Sequence, residues 1–289
     1  MHINLNGTKI FFEVYGNKLD RNNKQVIEKP TFIFLHGGSC LDHTPYINFW
    51  SRFSDVAQMI FIDHRGCGRS DLSTPDTWNL KQWGRDVYDF CQALNIEHPI
   101  VGGISFGGYV ALSYLLQFPN HPLGMILTDT EAHVSKERFL TKIHDRAVTL
   151  GKDSKSLVEL STKVFSDEFS FDLFAPYIEV LRMFGKPVAP IDDFSHVKSL
   201  GLGPTLSFNQ QIFNFDYRES LKTMQCRMLY LAADDAPLHC LENAKELVAV
   251  YPQDKMQFEV FPNSSSPVYE HDVPRAENLI RNFIRSCTT

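Results

Sequence analysis

The 289-residue sequence predicts an α/β domain built on a mostly parallel central sheet flanked by helices and interrupted late by a helical cap. Three observations carry this. Short apolar runs alternate with amphipathic stretches along most of the chain. The run Gly103-Ile104-Ser105-Phe106-Gly107 stands between one such apolar run and a helix-like segment beginning at Gly108, a strand-turn-helix context for an exposed serine. Between about Ala132 and Tyr217 the alternation breaks, and apolar residues follow helical spacing only.

Taken in order, Asn6-Gly7 between Ile3-Asn4-Leu5 and the run Ile10 to Tyr15 is a two-residue hairpin signal, so the chain opens with two antiparallel strands. The polar run Lys18 to Lys29 reads as a surface loop. Buried, mostly parallel strands are expected at Thr31 to Leu35, Met59 to Asp63, Pro99 to Gly103, Gly124 to Thr128, Arg227 to Ala232 and Gln257 to Phe261. Helices are expected at Leu80 to Leu94, Tyr109 to Phe118, Leu241 to Val250 and Ala276 to Ile284, the last with Asp272 as N-cap. This divides the chain into a first core part at 1–131, a helical cap at 132–216 and a second core part at 217–289.

The cap segment is cut by Pro176, Pro187, Pro190 and Pro204 and is rich in aromatics: Phe165, Phe169, Phe171, Phe174, Tyr177, Phe184, Phe194, Phe208, Phe213 and Phe215. Most have no core to join except that of the cap itself. A minority is expected to line an apolar pocket over Ser105.

Composition narrows the chemistry. With 43% hydrophobic and 21% charged residues the chain can bury a large core. A net charge of −6 offers no basic surface, so nucleic acid is not expected as a partner. The start, Met1 to Gly7, lacks a charged region followed by an apolar core, and no run of 18 apolar residues follows, so a cytoplasmic protein without a membrane partner is expected. Six cysteines occur without Cys-x-x-Cys or zinc-type spacing; reduced, mostly buried thiols are expected, and neither metal nor cofactor.

Ser105 is the candidate nucleophile, because the glycines around it leave room for a cramped turn that lifts the hydroxyl clear of the backbone. After the first parallel strand comes Leu35-His36-Gly37-Gly38-Ser39, a loop whose glycines leave a backbone amide unobstructed. Attack on a carbonyl develops charge on its oxygen, and two fixed amides, assigned to Gly38 and Phe106, would hold it. Gly37 lies in the same loop and is expected to face the substrate. His36 is expected to brace the loop from beneath and not to act as a base.

Together, His36-Gly37-Gly38, the turn Asp63-His64-Arg65-Gly66-Cys67-Gly68-Arg69-Ser70 and Gly103 to Gly107 resemble the α/β-hydrolase fold, and within it the proline iminopeptidase-like hydrolases, over nearly the whole chain. The peptidases usually carry a proline and a further glycine where this chain has Ser39-Cys40. The resemblance implies a structural turn at Asp63 to Ser70, with Arg65 bracing the loops of the site. It also implies a triad acid after the strand that follows the cap, at Asp235, with Asp234 as the fallback.

The family places its histidine in the loop after the last strand, where this chain reads Asn263-Ser264-Ser265-Ser266-Pro267. A gapless match puts Ser266 at the histidine position; a shift by one puts Ser265 there. Three readings stay open: Ser266 replaces the base and leaves an impaired enzyme, His271 folds back into the site, or His239 reaches it from the other side. The first is the working expectation; otherwise His271 would be an exposed residue before the last helix and His239 a surface one. In the iminopeptidases acidic residues meet the substrate's free amine, so the resemblance points to Glu131 or Glu168, each otherwise a solvated carboxylate.

The expected activity is hydrolysis of an ester or amide of a small molecule through an acyl-enzyme. The alternatives are a binding protein for a small apolar ligand, or a lyase or acyltransferase, on the same scaffold.

Overall fold

A computed structural model describes residues 1–22, 25–38, 41–184 and 201–288. Its strands are β1 (His2–Leu5), β2 (Thr8–Tyr15), β3 (Leu19–Asn22), β4 (Gln25–Glu28), β5 (Thr31–Leu35), β6 (Gln58–Ile62), β7 (Ile100–Ile104), β8 (Gly124–Thr128), β9 (Arg227–Ala233) and β10 (Met256–Phe261). Its helices are α1 (Ile47–Trp50), α2 (Leu80–Ala93), α3 (Phe106–Gln117), α4 (Lys136–Thr149), α5 (Ser154–Val164), α6 (Phe174–Leu181), α7 (Leu202–Gln211), α8 (Arg218–Leu221), α9 (Leu241–Val250) and α10 (Val273–Cys287). Pro187, Pro190, Phe194, Ser39 and Cys40, which entered the sequence reading, lie outside the described residues.

Eight strands form one sheet in the order β1-β2-β6-β5-β7-β8-β9-β10, antiparallel at β1, β2 and β6 and parallel from there on. The opening hairpin forms because Asn6 and Gly7 take φ of 52° and 87°, the left-handed region that a two-residue turn requires at both positions. The central strands β5, β7 and β8 are buried from end to end, so both of their faces are apolar. Side chains alternate between two cores. Ile33, Val101, Leu127 and Tyr230 face α2, α3, α9 and the cap, and Phe32, Phe34, Ile126 and Leu231 face α1 and α10. Asp272 caps α10, its carboxylate accepting the Arg275 N–H at 3.2 Å.

The run Lys18 to Lys29 differs from the expected surface loop. β3 and β4 pair antiparallel there as a separate two-stranded sheet, with Leu19 opposite Glu28. The segment escaped the sequence reading because Leu19, Val26 and Ile27 are exposed, so no buried face writes a period into the chain.

Arg65 ties the core together below the site. Its guanidinium donates to both oxygens of Asp86 on α2 (2.8 and 2.6 Å) and to Thr8 Oγ1 (2.5 Å), and its carbonyl accepts the Trp83 indole N–H (3.0 Å). Both charges are buried. Removing one partner strands the other, so Arg65→Ala is expected to cost about 3–5 kcal/mol in denaturant unfolding. Arg65→Ala unfolding at an unchanged denaturant midpoint would refute this bracing role.

Candidate active site

Ser105 sits between β7 and α3 with φ 49° and ψ −118°, a conformation that costs a non-glycine residue roughly 1–3 kcal/mol and persists only when its surroundings enforce it. Here they do. Its amide donates to the Thr128 carbonyl (3.1 Å), and the Thr130 hydroxyl reaches the Ser105 carbonyl (3.4 Å). A Cβ on Gly103 would run into the Gly107 carbonyl, one on Gly107 into the carbonyls of Leu35 and His36, and one on Gly108 into Thr130. Ser105 is the N-cap of α3, yet its hydroxyl makes no capping bond, which leaves it available.

The amides expected to hold an oxyanion come from two elements. Phe106 opens α3, so its N–H is among those for which a helix start has no internal acceptor. Gly38, at φ 68°, follows β5, and a side chain there would collide with Leu41. Gly37 is buried, and a Cβ on it would lie 2.8 Å from the Tyr46 hydroxyl. His36 braces this loop: Nδ1 lies 3.0 Å from the Gly37 carbonyl, and Nε2 accepts the His64 N–H at 3.2 Å. Burial lowers its pKa, which keeps the ring neutral. Beside it, buried Asp63 accepts from the His43 N–H and from the Arg69 N–H and guanidinium, and is paired with the His43 ring at 2.6 Å. Burial would raise that carboxyl, but His43 and Arg69 hold it well below the ordinary aspartate range.

The acidic residues are placed differently from the sequence reading. Asp235 is the residue expected as the triad acid. Its side chain is 33% exposed, and both of its oxygens accept from Arg146 on α4 (2.5 and 2.6 Å). Asp234 holds the loop after β10, accepting the N–H groups of Asn263 and Ser264 at 3.0 Å each. The buried carboxylate facing that loop is Asp129, just past β8, with φ 49°. Its Oδ2 accepts the Val268 N–H at 3.2 Å, and Oδ1 has no hydrogen-bond partner. The Ser266 hydroxyl stands close enough to help hold the charge, although outside strict hydrogen-bond geometry. Burial pushes Asp129 up to about 6 against the opposing pull of His239, Val268 and Ser266.

Two histidines and a glutamate complete the picture. His271 is half-buried rather than exposed, and its Nε2 accepts the Ser265 N–H at 3.0 Å, which turns the ring into its own loop. His239 is not on the surface. It is buried, with Nδ1 3.2 Å from Glu131 Oε2, which also accepts the Tyr109 hydroxyl at 2.6 Å. Burial pulls His239 down, but Glu131 and Asp129 overcome it and raise its pKa. Glu131, read as a solvated carboxylate, is wholly buried, and its Oε1 is unpartnered. Glu168 is exposed.

The cap closes over these groups. Phe208 on α7 packs edge-on against Phe106 (4.8 Å between centroids), and Phe215 lies 5.0 Å from Tyr109. Phe139, Phe165, Tyr177 and Phe213 form the cap's own core. The segment's two ends meet where His133 bridges Asp216 and the Tyr217 N–H donates to the Ala132 carbonyl. Among the described residues there is no group of three metal-ligating side chains and no helix long and apolar enough to cross a membrane. Cys67, Cys91, Cys226 and Cys240 are buried free thiols.

Asp129 is the residue that sequence reasoning passed over. Its one signal was a carboxylate ending a wholly apolar strand adjacent to the strand of the nucleophile.

Residues 30–152 match the α/β hydrolase fold family. Over 283 residues the chain is 24% identical to the proline iminopeptidase PfmaB of Pestalotiopsis fici, a match covering 87% of this chain and 94% of that one. A shorter match, 35% identical over 102 residues, is to a probable 1-acylglycerol-3-phosphate O-acyltransferase of Oryza sativa subsp. japonica and covers 34% of this chain and only 24% of that protein. Among solved structures, the proline iminopeptidase of Mycobacterium smegmatis superposes with a TM-score of 0.77 at 16% identity, covering 99% of this chain and 98% of that one. At that identity the likeness speaks to the fold.

Proposed function

We propose that the chain, which matches the α/β hydrolase fold family over residues 30–152 and resembles the proline iminopeptidases, attacks an ester or amide carbonyl of a small molecule with Ser105 and forms an acyl-enzyme. The single observation that carries this is the enforced conformation of Ser105, with its hydroxyl unused for capping and the N-terminus of α3 directly behind it. In this reading the Ser105 oxygen bonds to the carbonyl carbon while the amides of Gly38 and Phe106 receive the charge that moves onto the carbonyl oxygen. Each such donor is typically worth about 3 kcal/mol in the transition state. The scissile bond then breaks, and water releases the acyl group by the same path.

In this reading Ser266 stands in the loop after β10 at the position that the family resemblance gives to the imidazole, so turnover is expected to be slow. A triad lacking its base retains what the oxyanion site and binding supply, about 10³- to 10⁴-fold over water. Glu131 supports a substrate bearing an N–H group or an amine, because its Oε1 is buried and has no partner.

The test is a burst experiment with p-nitrophenyl acetate. One equivalent of p-nitrophenolate per chain is expected before a slow steady state, and none from Ser105→Ala. Release unchanged by Ser105→Ala would refute the nucleophile. A folded wild-type chain that binds acyl ligands but never bursts would favour the reading as a binding scaffold, which is supported by the serine at position 266 in the loop after β10.

A further inference from the structure

Asp129, Asp234 and Asp235 follow β8 and β9, the first and second strands beyond the strand of Ser105, and their partners separate them. Both oxygens of Asp234 hold backbone amides, and both of Asp235 hold Arg146. Asp129 is buried and keeps Oδ1 open. Its placement follows from the sheet. β7 and β8 run parallel with Ile104 opposite Thr128, so the next residues, Ser105 and Asp129, leave adjacent strand ends side by side, about 4.8 Å apart by ordinary strand spacing. Both turn there with φ 49°. The residues before and after Asp129 each bond to the backbone of Ser105, which fixes the two relative to one another. The loop after β10 is in turn fixed to Asp129 by the Val268 N–H, with Ser266 two residues earlier facing the same carboxyl.

We propose that Asp129 is the proton acceptor for Ser105 and that the Ser266 hydroxyl relays the proton between them. The proposal rests on Ser105 being the nucleophile. As the Ser105 oxygen bonds to the substrate carbon, its proton passes to Ser266 Oγ, and the Ser266 proton passes to Asp129 Oδ1. Collapse of the tetrahedral intermediate returns a proton by the same route to the leaving group. Water repeats the sequence on the acyl-enzyme, which leaves the carboxylate as it began. No group beyond the chain, the substrate and water is needed.

The surroundings suit a carboxylate in this task. Glu131 at the end of β8, His239 before α9, Tyr109 on α3, Tyr230 on β9 and Tyr269 after Val268 all act on it electrostatically. The tyrosines are held neutral by burial. With Asp129 raised to about 6, the carboxylate is ionised above that pH and is a stronger base than an exposed aspartate. Acylation is therefore expected to rise with pH through a midpoint near 6 and then level off.

Pre-steady-state acylation by p-nitrophenyl acetate between pH 4.5 and 8.5 decides it, on the wild type, Asp129→Asn, Ser266→Ala, Asp235→Asn and Ser105→Ala. Asp129→Asn is expected to lose about 100-fold or more of the acylation rate together with the pH limb, and Ser266→Ala about 10-fold or more. Asp235→Asn is expected to keep the limb. Full activity with an intact limb in Asp129→Asn would overturn the relay, as would a wild-type limb that disappears in His239→Gln. If Asp129→Asn does not fold, a wild-type limb near 6 with a slowed Ser266→Ala upholds the relay, and an unslowed Ser266→Ala overturns it. Loss of the burst in Ser105→Ala with no effect of Asp129→Asn rejects the relay alone, whereas a burst that survives Ser105→Ala rejects the nucleophile beneath it.

Discussion

Ser266→His is expected to raise steady-state turnover of p-nitrophenyl esters by about 10²- to 10⁴-fold, the range that a positioned general base contributes. The wild-type loop puts a hydroxyl, with no basicity of its own at neutral pH, in front of a buried carboxylate that has an oxygen to offer. An imidazole at 266 would donate Nδ1–H to Asp129 Oδ1 and present Nε2 toward the end of β7. That arrangement fixes the tautomer and stabilises the imidazolium formed on proton transfer. The rising limb of the rate should then move from about 6, set by Asp129, toward the histidine range near 6.5 or above. Adding Asp129→Asn to Ser266→His should remove most of the gain, and adding Asp235→Asn should not. If the wild type is already fast and Ser266→His changes little, the chain already holds a working base, and Asp129→Asn in the wild type separates the relay, which it would slow, from His271 or His239, which it would leave in place.

What could be read from the chain and what could not divide along a physical line. Thr31 to Leu35, Gly124 to Thr128 and Leu241 to Val250 were legible to the residue, because strands buried on both faces and a helix packed on one side imprint their burial on the sequence. The elbow was legible because its backbone excludes side chains at fixed neighbours, and that exclusion is written as glycine. The fate of a carboxylate is not written locally. Asp235 fits a motif spacing, but the group that engages it is Arg146, 89 residues away in the cap. Asp129 looks like any polar residue ending a strand, and two of the groups that act on it, His239 and the Val268 loop, reach it from distant parts of the chain. His239 likewise reads as a surface residue before a helix, and Glu131, 108 residues earlier, makes it a buried partner. The β3–β4 hairpin was missed for the opposite reason, since exposed strands leave no pattern.

Gly107→Ala is expected to reduce the acylation rate by at least about 100-fold, the effect of displacing a reacting group by about 1 Å. The added Cβ would collide with the Leu35 and His36 carbonyls, which are backbone atoms of β5 and of the loop that carries Gly38. No rotamer change can relieve such a contact. Either α3 must lift from β5 or the loop must retreat, and the amide donors of Phe106 and Gly38 sit on those two elements. Overpacking of this kind also costs about 1–3 kcal/mol of stability, so loss of rate and loss of stability should appear together. Gly151→Ala separates the two. Gly151 has φ 64° with nothing near the site of a Cβ, so alanine there meets only the left-handed strain of about 1–2 kcal/mol. Its acylation rate should match the wild type while its denaturation midpoint falls. Both variants are measured by the burst assay and by urea unfolding. A Gly107→Ala chain that acylates at the wild-type rate would mean that the oxyanion donors do not lie on α3 and the β5 loop, and the assignment of Gly38 and Phe106 would fall with it.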